Sequence, residues 1–322
     1  MKRIYLLLII ILGLGACTKE VEFTGTQSDP RLVVNGLQQV GQPACLSVEK
    51  STFFLDDQPD CRVKDVHVDL YVNGVFKESL QVRDSLEMEE YYEWHDDIDP
   101  ILKERLRYAF NYCQGSYILR EGDELRFEVS SSEFDMATAE VTMPEAPQVI
   151  SFDTVRIEPD YDYGFNVHFA LKLNDPVGSD YYNLYPQGGL AGFTSTDPVF
   201  TDLTETEDIE DFFGGAEYYG HGPYNVFNDK FFDGSEYTLS MEKSLYDEEV
   251  YEPLVLEVSR VDANFYQYLR SYNAYSSSNP ESIIGLFTEP VQVYSNVRNA
   301  IGVVGAQSQG VTMTVDLNLQ KK

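Results

Sequence analysis

Apolar and polar residues alternate in short runs along most of the chain, a pattern that predicts β-strands. In the first half, these runs occupy residues 31–37, 44–49, 66–72, 75–82, 117–120, 125–130 and 136–141. Asn73-Gly74 joins the third run to the fourth and is typical of a two-residue hairpin turn. About seven strands at this spacing predict an immunoglobulin-like β-sandwich.

The second half continues the strand pattern and adds one helix. Its runs occupy residues 149–157, 165–173, 181–185, 236–241, 254–259, 291–294, 301–304 and 311–319. Between Asp262 and about Tyr275, the residues Phe265, Leu269 and Tyr272 recur at helical spacing. The predicted fold is mainly β: an immunoglobulin-like sandwich followed by a second β-sandwich or small β-barrel domain with one helix.

The best boundary between the two predicted domains is Met143-Pro144-Glu145-Ala146-Pro147, where two prolines interrupt a strand pattern. The predicted division is a signal peptide (1–16), a lipidated linker (17–29), a sandwich (30–146) and a β-rich domain (147–322). The sandwich carries an acidic insertion at 84–112. The second half of this insertion predicts a helix, with Asp99 as N-cap and Pro100 at the first position.

The N-terminus has the features of an export signal. Lys2 and Arg3 precede an apolar run from Ile4 to Leu14, which is too short for the ~20 residues of a membrane-spanning helix. The run ends in Leu14-Gly15-Ala16-Cys17, which resembles a bacterial lipobox. We therefore predict cleavage before Cys17 and lipidation of its thiol; the alternative is a secreted protein in which Cys17 is incidental.

The charge of the chain excludes one class of partner. The formal net charge is −31, and removal of Lys2 and Arg3 with the signal leaves 21 basic and 54 acidic residues, or −33. Such a charge repels nucleic acid and anionic headgroups and favours solubility. We predict no nucleic-acid role.

Besides Cys17, the predicted mature chain contains three cysteines: Cys45, Cys61 and Cys113. Their spacing fits no zinc motif, and an oxidising compartment favours one disulfide. Cys61 and Cys113 lie in polar, loop-like stretches, so we predict that these two pair. Cys45 alternates with Ala44 and Leu46, which places it on the opposite face of a strand.

Aromatic residues in acidic stretches are the candidate contacts for a ligand or partner. They are Tyr91, Tyr92 and Trp94 in the insertion, and Phe212, Phe213, Tyr218 and Tyr219 in a stretch that continues through Tyr224 and Phe227. This stretch, from Leu173 to Asp229, contains no lysine or arginine. Exposed aromatics framed by polar groups are typical anchors of binding surfaces. The alternative is that these rings fold back onto the end of a sandwich.

No catalytic motif is present in the sequence, which lacks the nucleophile elbow, the zinc-protease motif, the P-loop and the EF-hand. His67 and His168 lie within strand runs, so they are expected to be sheet positions rather than ligands. Asp160, Asp162 and the acids from Asp202 to Asp211 could contribute to a calcium site, but they fit no defined ligand spacing. We predict no metal and no cofactor, with calcium as the alternative.

Several segments together resemble the domain-of-unknown-function 4249 family of Bacteroidetes outer-membrane lipoproteins. They are Leu32-Val33-Val34-Asn35-Gly36, Thr142-Met143-Pro144, Asp229-Lys230-Phe231-Phe232-Asp233-Gly234, Asn264-Phe265-Tyr266-Gln267-Tyr268-Leu269, and the closing pair Glu289-Pro290-Val291-Gln292-Val293-Tyr294-Ser295-Asn296-Val297 and Gly302-Val303-Val304-Gly305-Ala306. The resemblance implies an outer-membrane lipoprotein, commonly encoded beside a SusC-like TonB-dependent receptor, without established catalytic residues. The acidic insertion departs from the compact hairpin of the family.

The predicted function is therefore that of a non-enzymatic binding or accessory lipoprotein of a TonB-dependent nutrient uptake system, located at the outer membrane and facing outward. A structural surface protein or adhesin subunit is the alternative, and a hydrolase comes third.

Overall fold

Strands dominate the structure, a computed structural model that describes residues 29–53, 61–84, 110–160, 164–187, 193–203, 225–246, 253–277 and 292–317. The strands within these ranges are β1 (Leu32–Gln39), β2 (Pro43–Lys50), β3 (His67–Val72), β4 (Val75–Ser79), β5 (Gln81–Asp84), β6 (Asn111–Ile118), β7 (Glu124–Ser130), β8 (Ala137–Thr142), β9 (Gln148–Asp160), β10 (Gly164–Asn174), β11 (Tyr181–Gln187), β12 (Asn225–Asn228), β13 (Glu236–Leu245), β14 (Leu254–Val261), β15 (Val304–Gln307) and β16 (Val311–Val315). A helix, α1 (Ala263–Ser277), and a 3-10 helix (Pro198–Leu203) complete the described elements. The mainly β prediction is confirmed.

The first eight strands have the immunoglobulin-like arrangement. One sheet contains the order β1-β2-β6-β5 and the other has the order β4-β3-β7-β8. Relabelled along the chain from A, these are the A-B-E-D and C′-C-F-G sheets of that fold. The alternation in β2 explains the packing, because Ala44, Leu46 and Val48 are fully buried while Cys45 faces the other side. The predicted sandwich is confirmed.

The predicted return strand at 75–82 is in fact two strands, which is a correction. After the turn at Asn73-Gly74, whose φ angles are 53° and 76°, β4 pairs with β3 in one sheet. The chain then turns inward at Leu80, which is 4% exposed, and β5 pairs with β6 in the other sheet. The core lies between the sheets, so burying Leu80 carries the chain across from one to the other.

Two sheets also enclose the core of the second half. Strands β12, β11, β14 and β16 pack against the three-stranded sheet β13-β10-β9. The core between them contains Phe152, Phe169, Tyr182, Leu239 and Leu256. Both described sheets are open, so the arrangement is consistent with a sandwich, and the predicted barrel alternative does not hold for the described residues.

The C-terminal segment connects the halves. β15 lies between β1 and β14, parallel to the former and antiparallel to the latter, so one nine-stranded sheet includes strands from both sides of Pro147. The two apolar cores nevertheless remain separate clusters. The described residues from Arg31 onward form one compact unit. The division at 146/147 stays a prediction.

Helix α1 begins after Asp262, whose carboxylate accepts hydrogen bonds from the N–H groups of Asn264 (3.0 Å) and Phe265 (3.2 Å). This is an N-cap, and the same carboxylate also accepts the Ala306 N–H of β15 at 2.7 Å. The helix packs Phe265 and Leu269 toward β11 and β14. Among the described residues, no helix has the length and apolar character to span a bilayer.

Candidate functional site

Three carboxylates from two loops form a cluster of side chains that could hold a metal ion, the one such cluster among the described residues. Oxygen atoms of Asp175, Asp229 and Asp233 all lie within 4.8 Å of one another, and we call these three residues the acidic pocket. Asp175 and Asp229 are 3% and 6% exposed, whereas Asp233 is exposed. Carboxylates so close together repel one another, and hydrogen-bond donors must therefore hold them.

The ends of two strands position the acidic pocket. Asp175 follows β10 and Asp229 follows β12, so both strands deliver a carboxylate to the same end of the second core. The Asp175 carboxylate accepts the Tyr182 hydroxyl at 2.5 Å and the Gly234 N–H at 2.9 Å. Gly234 has a φ of 69°, which favours glycine and turns the chain back toward Asp175.

Two further backbone donors connect the loops. The Asp180 N–H donates to the Asp229 carboxylate and the Gly178 N–H donates to the Asp233 carboxylate, both at 2.9 Å. Main-chain bonds also join Asp229 to Asp180 (3.1 Å) and Asp175 to Ser235 (3.1 Å). The loops at 175–180 and 229–235 are therefore connected at several points.

The electrostatics of the pocket follow from burial and mutual repulsion. Burial, together with the negative charges of Asp175 and Asp233, raises the pKa of Asp229 to about 6. Burial, the hydrogen bond to Asp175 and the nearby carboxylates also raise the pKa of Tyr182, so its hydroxyl remains a donor. At neutral pH, the pocket carries an unfavourable concentration of negative charge.

A partly buried arginine lies on the flank of this cluster. The Arg260 side chain is 13% exposed and pairs with Asp180 and, at 3.9 Å, with Glu145 of the proline-rich segment. Burial lowers the pKa of Arg260, while Glu145 and Asp175 act in the opposite direction. Arg260 thus supplies positive charge to a stretch of sequence that has none of its own.

The acidic pocket differs from the calcium site that the sequence suggested. Of the predicted oxygen donors, Asp160 ends β9 and Asp202 lies in the 3-10 helix, while Asp162 and the acids from 205 to 211 lie outside the described residues. Carboxylate oxygens are the ligands that calcium prefers, so the acidic pocket is where the described chain could hold one. The segment Asp229–Gly234, singled out in the sequence, carries two of its three residues.

The predicted aromatic contacts fall outside the described residues: Tyr91, Tyr92, Trp94, Phe212, Phe213, Tyr218 and Tyr219. Cys17, the predicted lipidation site, also lies outside them, as does most of the helix predicted for the second half of the insertion. Phe227 is described and is fully buried in β12, packed against Tyr182 with ring centroids 5.2 Å apart. For Phe227, the alternative prediction, that these rings fold back onto the sandwich, is therefore correct.

The predicted disulfide between Cys61 and Cys113 is not formed, which is a correction. Cys113 lies opposite Leu46, whereas the Cys61 carbonyl accepts the Lys50 N–H, four positions further along β2. Four strand residues span about 13 Å, beyond the ~7 Å that a disulfide bridges between Cα atoms. Burial raises the pKa of the Cys113 thiol to about 12.

Cys45 faces an apolar groove of about 410 Å³ between α1 and the outer face of β1, β2 and β6. The groove is lined in part by Leu37, Phe110, Tyr112, Phe265 and Tyr268. Burial raises the pKa of the Cys45 thiol, although a hydrogen bond with Tyr112 acts in the opposite direction. The thiol is therefore not activated as a nucleophile.

The two described histidines lie in strands, as predicted. An exposed sheet face brings together the side chains of a histidine, an acid and a serine: His67, Asp69 and Ser79. Their arrangement differs from that of a catalytic triad. The same nitrogen, His67 Nε2, faces both Asp69 (3.0 Å) and Ser79 (3.5 Å), and the Ser79 hydroxyl donates to Asp69 at 2.6 Å. A relay needs the acid and the nucleophile on opposite ring nitrogens.

The fold and these sites define a class: a mainly β protein of packed sheets, with an acidic pocket at one end of its second core. The chain belongs to the family described as Domain of unknown function (DUF4249), whose profile matches residues 18–312. None of the curated proteins compared matches it.

Proposed function

We propose that the protein is a non-enzymatic binding or accessory lipoprotein, anchored in the outer membrane by lipids on Cys17 and acting beside a SusC-like TonB-dependent receptor. One observation carries the proposal: the family match begins at residue 18, immediately after the cysteine that ends the lipobox-like Leu14-Gly15-Ala16-Cys17. A segment that is removed on export is expected to lie outside the mature domain in this way.

Lipid anchoring defines how such a protein acts. Each buried methylene contributes ~0.8 kcal/mol, so two or more acyl chains hold a protein stably at a membrane. Confinement beside a receptor raises the effective concentration of a docking surface without high intrinsic affinity. A net charge of −33 after processing limits non-specific adhesion to other anionic surfaces.

The anchor is tested by metabolic labelling with an alkyne fatty acid in cells that produce the wild type, Cys17→Ala or Cys45→Ala. Labelling is expected in the wild type and in Cys45→Ala, and its loss in Cys17→Ala. Cys45 is the matched control because it is the described cysteine that is only partly buried. Equal labelling of wild type and Cys17→Ala would overturn the proposal.

The receptor association is tested separately by cross-linking in native outer membranes and purification of the lipoprotein. Recovery of a TonB-dependent receptor is the expected result. Recovery of self-contacts or host material in its place would favour an adhesin and refute the accessory role.

A further inference from the structure

We propose that two exposed apolar side chains, Val177 and Phe231, together with Asp233 form a docking surface for a protein partner that presents an apolar pocket bordered by lysine or arginine. We call these three residues the docking tip. The inference rests on the proposed function, because it assumes a partner held beside the lipoprotein at the membrane.

The docking tip exposes more apolar surface than the fold requires. Val177 is 87% exposed and Phe231 is 51% exposed, and both lie in loops that begin at a buried aspartate, Asp175 and Asp229. Phe232, next to Phe231, is 4% exposed and stacks on Tyr237 with ring centroids 4.4 Å apart. Because Phe232 anchors the loop in the core, the adjacent ring of Phe231 points outward.

Three other exposed apolar residues of the described chain have local explanations. Ile150 and Val155 are the extra residues of two β-bulges in β9, where the register against β10 shifts. Such bulges interrupt an edge strand and block pairing with another chain. Phe76 packs edge-on against Tyr71 at 5.7 Å. Val177 lies in a loop rather than at a bulge, and the Phe231 ring has Lys230 Nζ 5.7 Å from its centroid, a contact that leaves the ring 51% exposed.

The docking tip is held by a rigid base. The Asp233 carboxylate accepts the Gly178 N–H, which joins the loop of Val177 to that of Phe231. Gly234 lies so close to Val177 that an added Cβ would be 2.8 Å from the Val177 Cγ2 atom. Since the loops are already fixed, binding orders few additional groups, and this reduces the entropic cost of association.

Acidic groups outnumber basic ones around the docking tip: one exposed cation, Lys230, lies over the Phe231 ring, whereas three carboxylates lie together at Asp233. Asp233 is exposed, and Asp175 and Asp229 lie directly behind it, all within 4.8 Å. A lysine or arginine that reached Asp233 would relieve this repulsion, so complementary charge selects a basic border. A membrane rich in anionic lipid would be repelled by the same carboxylates, which favours a protein over a lipid surface.

The test places the photo-cross-linker p-benzoylphenylalanine singly at positions 177 and 231 in cells that make the full-length lipoprotein. Matched controls carry it at 75 and 76, where Val75 and Phe76 are 68% and 53% exposed. The expected result is one protein partner cross-linked from both 177 and 231 and from neither control, with lysine or arginine beside the attachment site. A Val177→Ser variant that carries the probe at 231 should lose about 30-fold in yield, as expected for an anchor residue.

A second variant tests how much the negative charge of Asp233 contributes to binding. Asp233→Asn, with the probe at 231, should lower the yield about threefold, as expected for one exposed ion pair. Cross-links to lipid alone, equal products from 76 and 231, or an Asp233→Asn yield equal to wild type would each overturn the inference. Fatty-acid labelling of the same cells distinguishes the two failures, because an intact anchor without these cross-links refutes only the docking tip.

Discussion

Gly302 is the position where one added methyl group should damage the fold most. It lies in the closing signature, next to the parallel pairing of β1 with β15, and has a φ of +119°. An added Cβ would be 2.1 Å from the Val34 carbonyl oxygen and 2.7 Å from Asn35 Oδ1. Asn35 Oδ1 accepts the Val303 N–H at 3.0 Å, so the clash falls on a bond that holds the two strands together.

Two contributions set the expected loss of stability in Gly302→Ala. A non-glycine residue at this φ costs about 1–3 kcal/mol in backbone strain. Overpacking against main chain that cannot move freely costs about another 1–3 kcal/mol. The sum, roughly 2–6 kcal/mol, is a large part of the 5–15 kcal/mol that stabilises a typical domain.

Gly122→Ala separates the two contributions. Gly122 also has a positive φ, +77°, but nothing lies within 4 Å of its added Cβ, so only strain should appear there. The assay is urea unfolding followed by tyrosine fluorescence and circular dichroism. Gly302→Ala should unfold at a clearly lower urea concentration than Gly122→Ala. Equal midpoints for the two variants would refute the close approach of Gly302 to β1.

Three further predictions concern titratable groups. Because the folded pKa of Asp229 is raised to about 6, stability should fall as pH rises from about 4 to about 6, and Asp229→Asn should abolish this slope in pH-dependent unfolding. Burial acts to raise the pKa of Glu78, but hydrogen bonds from Ser116 and Tyr117 outweigh it, so the pKa is lowered. Glu78→Gln should therefore lower the free energy of unfolding by about 1 kcal/mol at pH 7, and this difference should vanish as the pH falls below about 4. In native protein, iodoacetamide should leave Cys113 unmodified while Cys45 reacts slowly, as mass spectrometry of the digested protein would show.

The immunoglobulin-like half could be predicted from sequence because its determinants are local. Alternation fixes which face of each strand is buried, and Asn73-Gly74 fixes the first hairpin. The helix prediction succeeded for the same reason, since Phe265 and Leu269 recur on one face. Predictions were wrong where a contact between distant segments decides the local structure.

The sequence pattern predicted a strand at 291–294, but residues 292–294 do not form one. The Tyr294 N–H donates instead to the Ser271 hydroxyl of α1 at 2.8 Å.

The pairing of β1 with β15 could not be predicted either, because the two strands are far apart in sequence. Gly36 and Val304 are parallel neighbours although 268 positions separate them in sequence. Neither segment carries a local signal for its partner, since a short apolar run is compatible with many pairings. The sequence placed β15 three residues too early, at Ile301, which makes only an isolated bridge to Val33.

The acidic pocket was missed for a physical reason: with 54 acidic residues, no subset is distinguished by type alone. What distinguishes Asp175 and Asp229 is that they are buried beside each other, which depends on strands that end at the same edge of one core. Arg260 of β14 supplies a nearby positive charge to Asp175, so this interaction joins segments that are far apart in sequence. No local sequence pattern predicts the partial burial of Arg260, which lies outside the stretch without basic residues. The pairing of β11 with β14 explains it, because this pairing places Arg260 opposite Tyr182. The Tyr182 hydroxyl in turn donates a hydrogen bond to Asp175.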